Sequence, residues 1–126
     1  MADERARWIV LLAHGSRDAA WRRPLEQLQR LLETEAPDRG VCLAYLQLAA
    51  PTLTEALGAC RDQGATNVTV VPVFLSGGGH ILRDVPRTVA RAAAEVGGLK
   101  VRCASALGEE PEVLAGMVAA CKRLAE

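Results

Sequence analysis

Trp8-Ile9-Val10-Leu11-Leu12-Ala13, followed at once by His14-Gly15-Ser16-Arg17-Asp18, is the stretch whose reading decides the fold. An apolar run this short and continuous, with no alternation, suits a strand covered on both faces. Such strands belong to parallel sheets, and parallel neighbours need long crossovers, usually helices. The rest of the chain supplies them. Apolar residues recur at helical spacing between about Asp18 and Glu35 (Leu25, Leu28, Leu31, Leu32), with Pro24 near the first turn and Pro37 and Gly40 closing the segment. Val41 to Leu46 reads as a second strand, and Pro51-Thr52 opens a helix carrying Leu53, Ala56, Leu57 and Cys60, stopped near Gly64. Val68 to Leu75 is a third, valine-rich strand and Leu99 to Ala104 a fourth. Between them lies a helix bearing Val85, Val89, Ala92, Ala93 and Val96, ended by Gly97-Gly98, and Pro111 opens a last helix through Leu124. Four β-α units in succession imply one α/β domain over residues 1–126, a four-stranded parallel sheet with helices on both faces and right-handed crossovers.

The composition narrows the class of partner. Lys plus Arg number 15 and Asp plus Glu 15, so no net field recruits nucleic acid or an anionic membrane surface. No apolar run approaches the length of a membrane span, and Met1 to Arg7 is too polar for a secretory leader. A cytoplasmic setting is therefore expected. The four cysteines (Cys42, Cys60, Cys103, Cys121) form no C-x-x-C pair, and they read as small reduced hydrophobes of the core.

Both histidines of the chain sit in the same local text, His14-Gly15-Ser16-Arg17-Asp18 and His80-Ile81-Leu82-Arg83-Asp84, each after a buried strand. In an open parallel sheet, ligands bind beyond the carboxyl ends of the strands, where strand order reverses. A flavodoxin-like order 2-1-3-4 makes strands one and three neighbours, so the two imidazoles should face one crevice although 66 positions separate them. Imidazole is a common transition-metal ligand and a proton acceptor near neutrality. Two histidines leave a metal shell incomplete, open to water or substrate. Arg17 and Arg83 lie close enough to meet an anionic ligand, whereas Arg22, Arg23 and Arg87 read as solvated helix residues. The loop Ser76-Gly77-Gly78-Gly79 lets backbone approach a ligand, but it is neither a P-loop nor a dinucleotide fingerprint. Ser16 reads as a helix-capping residue rather than a nucleophile.

Three strings resemble a known family: Leu12 to Asp18; Tyr45-Leu46-Gln47-Leu48 with Pro51-Thr52-Leu53; and Val71-Pro72-Val73-Phe74-Leu75 through Gly78-Gly79-His80 with Asp84-Val85-Pro86. In order and spacing they are similar to the CbiX/SirB group of small class II tetrapyrrole chelatases, over nearly the whole chain. The resemblance implies a flavodoxin-like chelatase fold and insertion of a divalent metal into sirohydrochlorin, in cobalamin or siroheme biosynthesis. It implies that His14 and His80 bind the metal, with His14 also the proton acceptor, and that Leu75, Ser76, Gly77, Gly78 and Gly79 contact the tetrapyrrole. It also implies a homodimer. The divalent metal (Co2+ or Fe2+, with Ni2+ a further candidate) is then a substrate, and no organic cofactor need be permanently bound. Many members carry a glutamate where this chain has Gln47, whose carbonyl oxygen can reach a metal or the macrocycle but cannot take up a proton at neutral pH. That difference motivates an alternative, a non-catalytic carrier of metal or tetrapyrrole. Arg17 and Arg83 would pair with the carboxylates at the periphery of the macrocycle.

Overall fold

The computed structural model describes residues 6–76 and 83–126. Strand β1 (Arg7–Ala13) lies inside the sheet, between β2 (Gly40–Tyr45) and β3 (Asn67–Pro72), and β4 (Lys100–Cys103) adds to the far side of β3. All three pairings are parallel and the order is β2-β1-β3-β4, as the β-α alternation predicts. Val10 stands between Cys42 and Val70, and Val70 stands beside Cys103. Among the described residues the helices are α1 (Arg23–Glu35), α2 (Leu53–Asp62), α3 (Val85–Val96) and α4 (Pro111–Leu124), with 3-10 turns at Ala19–Arg22 and Leu107–Glu109.

The period-two geometry of a strand sorts the core into two layers. Trp8, Val10 and Leu12 of β1 pack with Val68 and Val70 of β3 under Leu53, Ala56, Leu57 and Cys60 of α2 and Val85, Val89 and Ala92 of α3. On the opposite face Leu11 packs with Val41 and Tyr45 of β2 beneath Leu25 of α1. Leu57 is wholly buried, and a leucine in that position contributes about 1.5–3 kcal/mol of transfer free energy.

Local chemistry sets the element ends. Thr52 and Glu55 form a reciprocal capping box at the start of α2: the Glu55 amide donates to the Thr52 hydroxyl (3.2 Å) and the Thr52 amide to the Glu55 carboxylate (2.9 Å). Pro24, Pro86 and Pro111 each stand in the first turn of a helix, where a missing N–H costs nothing. The first helix begins late because residues 19–22 take the tighter 3-10 form. Its cap is Asp18, which accepts from the Ala20 amide (2.9 Å), while the Ser16 hydroxyl accepts from the Asp18 amide (3.1 Å). Ser16 thus holds the capping residue instead of capping the helix itself.

Two expectations change in detail, and one helix stands apart from the core. Strands two and three stop at Tyr45 and Pro72, short of Leu46 and Leu75. Pro72 has no ladder donor, and after one more bond, from the Val73 amide to Leu12 (2.8 Å), the chain bends at Phe74 and Leu75. Among the cysteines, Cys60 is buried and Cys42 and Cys103 half-buried, but Cys121 is exposed and belongs to no core. Finally, α4 buries none of its residues, and its main neighbour is the adjoining turn Leu107–Glu109.

Candidate functional site

Because β1 and β3 are adjacent, the residues that leave their carboxyl ends are neighbours. His14, exposed at the end of β1, sets its imidazole against the ring of Phe74, just past β3, with centroids 4.7 Å apart and planes tilted by 50°. The chain leaving β2 joins from the other side. Leu46 donates its amide to the Ala13 carbonyl and Gln47 donates its amide to the His14 carbonyl, each at 3.0 Å. The Tyr45 amide donates to Pro51 (2.9 Å), which ties the base of this loop together. Burial raises the Tyr45 phenol above its ordinary value, so it stays protonated beneath the lip.

Gly15 makes the close junction possible. Its φ of +97° lies in the left-handed region, and a Cβ there would come within 1.8 Å of the Gln47 carbonyl oxygen. Leu48 is also held at positive φ (63°) with its side chain half exposed to solvent (53%), an apolar residue strained into the open beside the lip. On the β3 side, the Gly108 amide donates to the Phe74 carbonyl (2.8 Å), and a Cβ on Gly108 would lie 2.0 Å from the Leu75 carbonyl oxygen. The turn before α4 therefore sits directly on the backbone that presents Phe74.

A pocket of about 230 Å³ opens beside this lip, lined by Pro72, Phe74, Arg83, Pro86, Ser105 and Glu109 among others. Of the residues expected from the sequence, the structure brings together His14 and the backbone of Gln47, whose side chain is exposed. Leu75 and Ser76 follow on the β3 side, both exposed. Arg83 lines the pocket, while Arg17 is exposed and does not. His80, Gly77, Gly78 and Gly79 lie outside the described residues. Among the described residues, no group of three or more His, Cys, Asp or Glu side chains converges as a metal cage. Sequence reasoning missed the part played by Phe74 against His14, although the residue is the chain's one phenylalanine and falls where a strand was expected to continue. It also missed Ser105 and Glu109, which carry no local signal and reach the pocket through the turn after β4.

Fold and site together define a class: an open, doubly wound α/β domain whose chemistry gathers at the carboxyl ends of adjacent central strands, at the point where strand order reverses. The family follows from comparison with known proteins. The CbiX family model matches residues 8–124, and the chain belongs to that family. Among similar proteins, the sirohydrochlorin cobaltochelatase of Methanopyrus kandleri is 34% identical over 79 residues, which are 63% of this chain and 55% of that protein. The chloroplastic sirohydrochlorin ferrochelatase of Arabidopsis thaliana is 33% identical over 100 residues, 79% of this chain and 44% of that protein. The chain thus spans about half the length of these curated relatives. A solved cobalamin (vitamin B12) biosynthesis CbiX protein from Marinobacter aquaeolei VT8 superposes with a TM-score of 0.81 at 34% identity, covering 93% of this chain and 95% of that one. The sirohydrochlorin chelatase SirB of Bacillus subtilis subspecies spizizenii, solved in complex with cobalt, superposes with a TM-score of 0.76 at 27% identity, covering 93% of this chain but 50% of that one.

Proposed function

We propose that this protein inserts a divalent metal, Co2+ or Fe2+, into sirohydrochlorin, in a cytoplasmic setting and as a pair of identical chains. The observation that carries the reading is His14: an exposed imidazole at the switch point of a CbiX-family fold, backed by Phe74 and anchored through its carbonyl to the Gln47 loop. Insertion needs a partly desolvated metal, a macrocycle held over it, and removal of two pyrrole protons. In this reading His14 and His80 hold the incoming metal with positions left open for ring nitrogens. Neutral His14 has a single free lone pair, so it accepts one pyrrole proton as it releases the metal to the ring nitrogens, and the second proton leaves to solvent. Leu75, Ser76 and the glycines after them face the macrocycle, and Arg17 and Arg83 pair with its carboxylates.

The test is direct. Purified protein mixed with sirohydrochlorin and Co2+ or Fe2+ should change the absorption spectrum over many turnovers. His14→Ala should lower that rate by about 100-fold or more, the scale of a lost acid–base group. Wild-type turnover in both His14→Ala and His80→Ala would end the proposal.

The position of Gln47 supports a second reading. It stands beside His14 and offers an amide where an acid could take a proton. A carrier would bind the tetrapyrrole or metal tightly without turnover and gain activity on Gln47→Glu. Multiple turnovers by the wild-type protein exclude it.

A further inference from the structure

Seven large apolar side chains are exposed among the described residues. Four belong to helix surfaces, Leu31 on α1 and Leu114, Val118 and Leu124 on α4. The other three share one end of the sheet: Trp21 (75% exposed), Leu48 (53%) and Leu75 (74%) lie in the segments that leave the carboxyl ends of β1, β2 and β3. Because β1 runs between β2 and β3, the segments bearing Leu48 and Leu75 flank the exit of His14 on its two sides. Two strand spacings separate those exits, ~10 Å, a breadth that one flat macrocycle covers. Leu48 differs from the other two in its backbone. Among the described residues it is the one non-glycine residue at positive φ (63°). A leucine there is strained where glycine or asparagine would not be, because its Cβ crowds the carbonyl that follows. Half exposed, it also recovers only part of the free energy that full burial returns to a leucine. The conformation is imposed from both sides. Before Leu48 the Gln47 amide is held on the His14 carbonyl at 3.0 Å, and beyond it the Pro51 carbonyl accepts from the Tyr45 amide at 2.9 Å. Backbone strain that its surroundings over-determine in this way collects at ligand clamps.

We propose that Leu48 is a ring-contacting residue: its side chain covers the apolar face of the tetrapyrrole beside His14. This rests on the reading of the protein as a sirohydrochlorin chelatase. Sirohydrochlorin has a flat conjugated centre and carboxylates at its rim, so guanidinium groups suit its edge and apolar side chains suit its face. Gln47, one residue earlier, is tied to the backbone of His14, so the side chain at position 48 keeps a fixed offset from the residue that bears the imidazole. Leu75 gives the same apolar character to the β3 side, and Trp21 adds it on the β1 side, in the turn held by the bond from its own amide to the Asp18 carbonyl (3.1 Å). The free energy that the loop forgoes by straining and exposing Leu48 is recovered when the ring takes that surface out of water.

The experiment uses the full chain and separates contact from fold. Leu48→Asn and Leu48→Gly both accept a left-handed backbone, so each should unfold at a urea concentration no lower than the wild type. Titrated with metal-free sirohydrochlorin and followed by absorption, both should bind about five- to tenfold more weakly, the scale of a half-buried leucine lost from a contact. Leu48→Met, which puts back an apolar side chain of similar volume, should recover most of that affinity. In Co2+ insertion, KM for sirohydrochlorin should rise by the same factor in Leu48→Asn while kcat stays within about twofold, as when uniform binding is lost. Leu31→Asn, on the exposed side of α1, should change neither. Equal Kd for the wild type, Leu48→Asn and Leu48→Gly would overturn the proposal and leave the chelatase reading standing. So would weaker binding that comes with a lower unfolding midpoint, or a sedimentation coefficient altered in Leu48→Asn, which would put a second copy of the chain on Leu48 in place of the ring. A wild type that binds sirohydrochlorin and inserts no metal ends the chelatase reading instead, and a weaker Kd in Leu48→Asn then still supports the ring contact.

Discussion

Gly15 is where one hydrogen atom decides whether the lip forms. Any side chain there meets the Gln47 carbonyl and also has to adopt a left-handed conformation, so Gly15→Ala breaks the junction on two counts. The expected result is a loss of about 1–3 kcal/mol in urea unfolding, together with a drop in metal insertion, because the His14 carbonyl then loses the Gln47 amide. Phe74→Ala makes the complementary change: the backbone stays, the tilted ring behind His14 goes, and insertion should slow while the unfolding midpoint moves much less than it does in Gly15→Ala. Gly40 shows the same steric logic away from the site. A Cβ there would lie 2.1 Å from the indole of Trp8, so Gly40→Ala should cost about 1–3 kcal/mol through overpacking, measured as a fall in unfolding midpoint with no direct effect on the junction of His14 with Gln47.

At the scale of an element, α2 depends on its first turn. Removing the cap with Thr52→Ala should lower stability by about 1 kcal/mol in denaturant titration. The Glu55 carboxyl is held below its ordinary value, first by the backbone amide of Thr52 and then by the Thr52 hydroxyl. A carboxyl depressed in the folded state stabilises the protein above its unfolded pKa, and that contribution is lost as pH falls through the lower folded value. The wild-type unfolding midpoint should therefore decline on acidification below the ordinary carboxylate range. Glu55→Gln should flatten part of that decline, and an unchanged slope would remove Glu55 from the account. The cysteine pair across β2 and α2 is a quieter element contact. The Cys42 and Cys60 sulfurs are 3.4 Å apart, and the hydrogen bond between them, followed by burial, pushes the Cys42 thiol well above its ordinary range.

For the whole molecule, stability resides mainly in the layer between the sheet and α2 and α3. Leu57→Ala empties a wholly buried position there and should cost about 2–5 kcal/mol in chemical denaturation, with cooperativity retained. The sheet order was legible in the sequence because buried parallel strands advertise themselves as unbroken apolar runs, and the β-α alternation leaves few ways to connect them. From that order came the placing of His14 beside the end of β3. Two things were not legible. The contact of Phe74 with His14 depends on exactly where β3 gives way, which a valine-rich run followed by Phe74-Leu75 does not reveal. The exposure of α4 is hidden for a different reason: its apolar periodicity is the same whether it covers its own sheet or another chain. Cys121, expected in a core on composition, is exposed as part of that same surface.

The tilted contact between His14 and Phe74 also has a magnetic consequence. At 4.7 Å the imidazole lies within the ring current of the phenyl group, so the carbon-bound protons of His14 should resonate away from their free-histidine positions. With only two histidines in the chain, those signals can be told apart by a single substitution. On the proposed function, paramagnetic Co2+ added without any tetrapyrrole should broaden or displace them, and unchanged signals would count against His14 as a ligand.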